Sequence, residues 1–122
     1  MTSTTSLAGF AGIALAAVIT GCAPTGATSI ALPDDAVVID VRTASEFASG
    51  HLESATLLDV SNGDLAAALP SLDRDVPYFV HCRSGSRSAQ AVALMREAGF
   101  TDVTDLGALE SASAATGLSI ER

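Results

Sequence analysis

Tyr78-Phe79-Val80-His81-Cys82-Arg83-Ser84-Gly85-Ser86-Arg87-Ser88 is the stretch that decides the fold of this chain. Tyr78 to His81 form a short, mainly apolar run of the kind found in strands buried on both faces. A polar loop containing glycine follows. From about Ser88 to Ala98 the residues Ala91, Leu94, Met95 and Ala98 recur at the i, i+3, i+4, i+7 spacing of a helix with one buried face, and Gly99 supplies the residue that ends it. Strand, tight loop and helix therefore place the thiol of Cys82 at the end of a strand and at the mouth of a helix. Backbone N–H groups there have no intrahelical partners.

Such a position favours an anion. With Arg83 and Arg87 beside it, Cys82 is expected to ionise below the ordinary thiol value of about 8.5, in the range of roughly 3.5–7.5 found for cysteines at helix N-termini or near cations. Gly85 lets the backbone turn tightly enough for successive amides to point inward. The loop is thus expected to present Cys82 as an exposed nucleophile. Arg83, Ser84, Gly85, Ser86 and Arg87 would hold an anionic substrate, and Ser88 would cap the helix. The bland alternative is a small core cysteine, but a desolvated core rarely takes two arginines within six residues.

Outward from the loop, short strands and helices alternate. Ala36 to Asp40 reads as a buried strand, and Thr43-Ala44-Ser45-Glu46 as a capping box opening a short helix that Gly50 stops. Ala55 to Leu58 is a second strand, Asn62-Gly63 a turn, and Asp64 to Leu69 a helix closed by Pro70. Val103 to Leu106 is a last strand, and Ala108 to Thr116 a last helix ended by Gly117. This alternation predicts an α/β fold with a mainly parallel sheet flanked by helices. Asp40 and Arg42, at a strand end, are expected to support the loop as a structural ion pair or cap. His51 is read as a structural hydrogen-bonding residue, and strand alternation points His81 away from Cys82.

The bulk properties narrow the setting. Of the 122 residues 48% are apolar and 16% charged, so the body should fold. The net charge of −8 arises from 14 acids against six arginines, with no lysine, which argues against a nucleic-acid partner. His51, His81 and Cys82 have neither the spacing nor the companions of zinc ligands, so no metal is expected, and no cofactor. Leu7 to Ile19 is an apolar run too short to span a bilayer but matching the core of a secretory signal. It ends in Ile19-Thr20-Gly21-Cys22, which resembles the bacterial lipobox, although Met1 to Ser6 contain no Lys or Arg. The resemblance implies cleavage before Cys22 and a lipid on its thiol. The expected division is a signal peptide over residues 1–21, a flexible tether over 22–33 and one domain over 34–122, held outside the cytoplasm on the cell membrane by the lipid on Cys22. Cys82 would then be the single thiol of the mature chain, a liability in an oxidising compartment unless it is used.

Three ordered motifs carry a family resemblance. Cys82-Arg83-Ser84-Gly85-Ser86-Arg87-Ser88 resembles the active-site loop of single-domain rhodaneses, and Val38-Ile39-Asp40-Val41-Arg42, Glu46-Phe47 and Gly50-His51-Leu52 resemble the upstream markers of that family. Ser54 and Ala108 depart from it, standing where glycine is usual, and the tryptophan often found after the last strand is absent. The resemblance implies a three-layer rhodanese-like domain. It also implies a sulfurtransferase in which Cys82 takes a sulfane sulfur from thiosulfate, a polysulfide or a low-molecular-weight persulfide, becomes a persulfide, and yields the sulfur to an acceptor thiol or cyanide. Two other readings stand beside it: a non-catalytic or sulfur-carrier module that docks to a partner, and a phosphatase or arsenate-reductase-like enzyme using the same cysteine. Those last enzymes place five residues between Cys and Arg, whereas four separate Cys82 from Arg87. The smaller ring suits sulfur better than phosphate.

Overall fold

The computed structural model describes residues 29–122, so the apolar run, the Ile19–Cys22 box and Cys22 itself lie outside the described residues. In chain order the elements are β1 (Val37–Asp40), α1 (Ala44–Ser49), β2 (His51–Leu52), β3 (Thr56–Leu57), α2 (Asp64–Ala68) with a 3₁₀ turn over Leu69–Ser71, β4 (Tyr78–Cys82), α3 (Ser86–Glu97), β5 (Val103–Ala108), α4 (Leu109–Thr116) and β6 (Ile120–Glu121).

Four strands form a sheet in the order β3-β1-β4-β5, and every neighbouring pair is parallel. The apolar runs are continuous because β1 and β4 are covered on both faces. On one face Ile39, Val80 and Cys82 pack against Leu65 of α2 and Ala91, Val92 and Met95 of α3. On the other, Val38, Phe79 and Leu106 meet Leu109 and Ala112 of α4. The result is the parallel α/β sheet expected from the alternation, in the three layers that the resemblance implies. His51 and Leu52 of β2 pair antiparallel with Glu121 and Ile120 of β6, which fastens the end of the described chain to the residues just after α1. The sequence reading contains neither of these strands. Two residues are too few to show a period-two pattern, so only the tertiary pairing defines them.

Local signals act as expected at several termini. Thr43 and Glu46 close a reciprocal capping box at the start of α1, with Glu46 N–H donating to Thr43 Oγ1 at 3.2 Å and Thr43 N–H to Glu46 Oε1 at 3.2 Å. Gly117 ends α4 in the left-handed conformation. Ser54 is the one non-glycine residue with positive φ among the described residues, at 66°, which is why glycine is the commoner solution there. Ala108, by contrast, has an ordinary extended backbone (φ −75°, ψ 158°) and needs no glycine. Within the stretch expected as tether, Ile30 N–H donates to Ala115 O at 2.7 Å, and Ile30 and Leu32 pack on the α4 side of the core. Ordered packing therefore reaches back to Ile30. Among the described residues no helix is long and apolar enough to cross a membrane.

Candidate active site

The carboxyl ends of the parallel strands converge at one edge of the sheet, the usual place for a site in an open α/β fold. β4 delivers Cys82 there and α3 leaves from it. The helix begins at Ser86, two residues earlier than the apolar spacing suggests, because Gly85 takes the N-cap in a left-handed conformation (φ 102°) that a side chain would strain. Ser88 is consequently inside the first turn and does not cap the helix. Its hydroxyl is buried, donates to Gly85 O at 3.0 Å and lies 3.6 Å from Cys82 Sγ.

Cys82 is the free cysteine among the described residues, and its thiol is not exposed as expected but fully buried. The loop covers it: Arg83, Ser84 and Ser86 are exposed, Gly85 and Arg87 half-buried. Gly85 N–H donates to Sγ at 2.9 Å. Burial pushes the thiol up, but hydrogen bonds from the Ser88 hydroxyl and from the amides of Ser88, Gly85 and Ser84 outweigh it, so the group titrates below its ordinary value. The direction expected from the sequence holds, while the agent differs. The ring of amides and one hydroxyl stabilise the thiolate.

Arg87 is turned toward α1. Its Nη1 and Nη2 donate to Glu46 Oε1 at 2.7 Å and Oε2 at 3.0 Å, a two-pronged pair that holds the Glu46 carboxyl down at about 2. The Glu46 capping box fixes the carboxylate that in turn fixes the loop's last residue. Asp59, buried after β3, also favours the charged form of Arg87, and its Oδ1 accepts from Ser61 N–H at 2.8 Å. With both terminal nitrogens on Glu46, Arg87 ties the start of α3 to α1.

Asp40 and Arg42 form the ion pair expected of them. Arg42 Nε and Nη2 donate to both carboxylate oxygens of Asp40 at 2.7–3.1 Å, and Nη2 also reaches Gly50 O at 2.7 Å. Both residues are buried, so the fork satisfies charges that would otherwise be costly. His51 is structural as read: its ring stacks on Phe47 at 3.9 Å between centroids, and Nδ1 lies 3.0 Å from Phe47 O. His81 sits on the sheet face opposite Cys82, fully buried, its Nε2 3.8 Å from Asp40 Oδ2 and neither ring nitrogen hydrogen-bonded. Beside the loop opens a cleft of about 370 Å³ lined in part by Arg42, Glu46, Gly50, Arg83, Glu110 and Arg122. Sequence reasoning passed over Glu46 as a loop partner, and over Asp59 and Arg122 altogether. The capping box marked Glu46 as a helix residue only; nothing in the spacing ties residue 46 to residue 87 or residue 122 to either.

Fold and loop together define an α/β domain that delivers a strand-end thiol to the backbone amides of Ser84, Gly85 and Ser88. Residues 29–111 match the rhodanese-like domain family, and the chain belongs to it. It is similar to the thiosulfate sulfurtransferase GlpE of Pseudomonas putida, with 36% identity over 80 residues, covering 66% of this chain and 71% of that protein. A probable adenylyltransferase/sulfurtransferase MoeZ of Mycobacterium tuberculosis is 35% identical over 69 residues, 57% of this chain and 18% of that longer protein. Among solved structures, the rhodanese-like domain of an Anabaena protein superposes with a TM-score of 0.62 at 28% identity, covering 73% of this chain and 89% of that one. An Escherichia coli rhodanese solved with anions gives 0.59 at 25% identity, covering 71% and 98%.

Proposed function

We propose that this chain is a sulfurtransferase that moves a sulfane sulfur from a donor to an acceptor thiol or cyanide through a persulfide on Cys82. The observation that carries the reading is the Cys82 sulfur inside the amide ring, with Gly85 N–H at 2.9 Å and the thiol titrating below its ordinary value. A thiolate held this way attacks the outer sulfur of the donor; the donor's S–S bond breaks and the rest leaves as an anion. The exposed residues Arg83, Ser84 and Ser86 meet the incoming sulfur anion above the buried sulfur, while Gly85 and Ser88 hold the charge on it. Asp40, Arg42 and Glu46 keep the loop in shape. The likeness to a thiosulfate sulfurtransferase and to a rhodanese solved with anions supports small anionic sulfur compounds as donors.

The N-terminal sequence supports a second part of the proposal: residues 1–21 are a lipoprotein signal, Cys22 carries a lipid, and the domain works outside the cytoplasm on a short tether. One experiment reads both parts. Intact mass of the protein extracted with detergent should correspond to a chain starting at lipid-modified Cys22. Incubation with thiosulfate, a polysulfide or a glutathione persulfide should then add about 32 Da, one sulfur atom, which cyanide removes by ordinary exchange chemistry. Cys82→Ser should gain nothing. A chain that takes up no sulfur from any of the three donors defeats the sulfurtransferase reading, and an N-terminus other than lipidated Cys22 defeats the anchor.

A further inference from the structure

The cleft beside the loop is larger than an inorganic sulfur donor requires. At about 370 Å³ it has the size of a site for a small organic ligand. Three of the six arginines of a chain with net charge −8 line it: Arg42, Arg83 and Arg122.

These charges differ in how far they are already engaged. Glu46 is taken by Arg87. Arg42 uses Nε and Nη2 on Asp40 and Gly50, and its Nη1 has no partner among the described residues. Arg83 and Arg122 have no acidic partner among the described residues, and exposed Glu110, in the first turn of α4, has no cationic one. Arg122 is exposed and directly follows β6. β6 carries it along β2, and its side chain lies across Gly50, where an added Cβ would come within 3.3 Å of Arg122 Cγ. The carbonyl of the same glycine accepts from Arg42, so both arginines share one wall of the cleft. Two unengaged guanidinium groups and one unengaged carboxylate thus line a cleft adjoining the Cys82 loop. That set complements a molecule with carboxylates and an ammonium group.

We infer that the cleft binds the organic part of a low-molecular-weight persulfide of amino-acid or small-peptide type, with Arg83 and Arg122 on its carboxylates and Glu110 on its ammonium, and that Arg122 is a specificity-determining residue. This rests on the sulfurtransferase reading and narrows its donor. In the transfer, the Cys82 thiolate forms a bond to the terminal sulfur of R–S–SH as the donor's S–S bond breaks. The electron pair of that bond leaves on the carbon-bound sulfur as a thiolate, and the proton remains on the transferred sulfur. Nothing is oxidised overall.

The test compares glutathione persulfide with the persulfide of glutathione diethyl ester, which keeps the ammonium and loses both carboxylate charges. Initial rates are measured on the detergent-extracted full chain and on its Arg122→Ala and Arg83→Ala variants. For the unaltered protein KM should be about tenfold lower for the free acid, the combined effect of two exposed charge pairs of about threefold each. Each variant should narrow that gap to a few-fold, a change that a merely structural role for either arginine would not produce. Equal KM for acid and ester in the unaltered protein, or an undiminished gap in both variants, overturns the inference while leaving sulfur transfer intact. Absence of transfer from both persulfides and from thiosulfate overturns the sulfurtransferase reading instead.

Discussion

Ser88 has one hydroxyl proton and two acceptors within reach. While Cys82 is a thiol, its S–H can donate to Ser88 Oγ, and Ser88 donates to Gly85 O. Once Cys82 ionises, the hydroxyl serves the thiolate better than it serves the carbonyl, because bonds to a charged acceptor are the stronger ones. Ser88→Ala removes this donor without altering the amides of Gly85 and Ser84. The midpoint of Cys82 alkylation against pH should move upward. At pH values below both midpoints the rate should fall by about tenfold, if the bond contributes roughly 1.4 kcal/mol. Iodoacetamide kinetics across pH 5–10 provide the measurement, and an unmoved midpoint would show that the amide ring suffices alone.

At the scale of elements, α1 acts as a brace for the loop. Thr43 caps it, the cap positions Glu46, and Glu46 holds Arg87 at the start of α3. Glu46→Ala should therefore cost more than Thr43→Ala. Losing the cap alone costs about 1 kcal/mol. Losing Glu46 keeps the Thr43 Oγ1 bond to the residue-46 amide but removes both the acceptor of Thr43 N–H and the ion pair, and a pair exposed to roughly a quarter of its surface contributes up to about 1 kcal/mol. Urea unfolding of the two variants measures the difference. A double-mutant cycle of Glu46 and Arg87 isolates the pair, and a coupling of zero would mean that it contributes nothing to stability.

For the whole molecule, two buried or half-buried groups set the response to acid. Burial pushes His81 below its ordinary value of 6.5, against the pull of Asp40. The unfolded chain then binds the proton that the folded chain refuses, so stability declines as pH falls through about 6.5. Glu46 is held down to about 2 against an ordinary 4.5, so its contribution is complete above 4.5 and is lost between there and about 2. Urea unfolding at pH 7.5, 5.5 and 3 should show both declines. His81→Leu should abolish the first and leave the second. A variant that keeps the decline between pH 7.5 and 5.5 would assign it to another group.

The sequence by itself determined the frame and the nucleophile. The apolar runs of β1 and β4, the helical spacing of α3 and the glycines at 85, 99 and 117 are local signals, each readable within about a dozen residues, and together they specify a parallel α/β domain with Cys82 at a strand end. Asp40 and Arg42 were legible as a pair for the same reason, being two residues apart on one strand end. What surrounds the sulfur was decided by the tertiary structure. That Arg87 faces Glu46, that Ser88 reaches Cys82 from inside the helix, and that Arg122 comes to lie across Gly50 depend on where elements pack. Contacts between residues 41 or 72 positions apart leave no periodicity in the chain. Burial of the sulfur followed from the same packing, because a two-sided sheet draws the end of its central strand under the loop that leaves it.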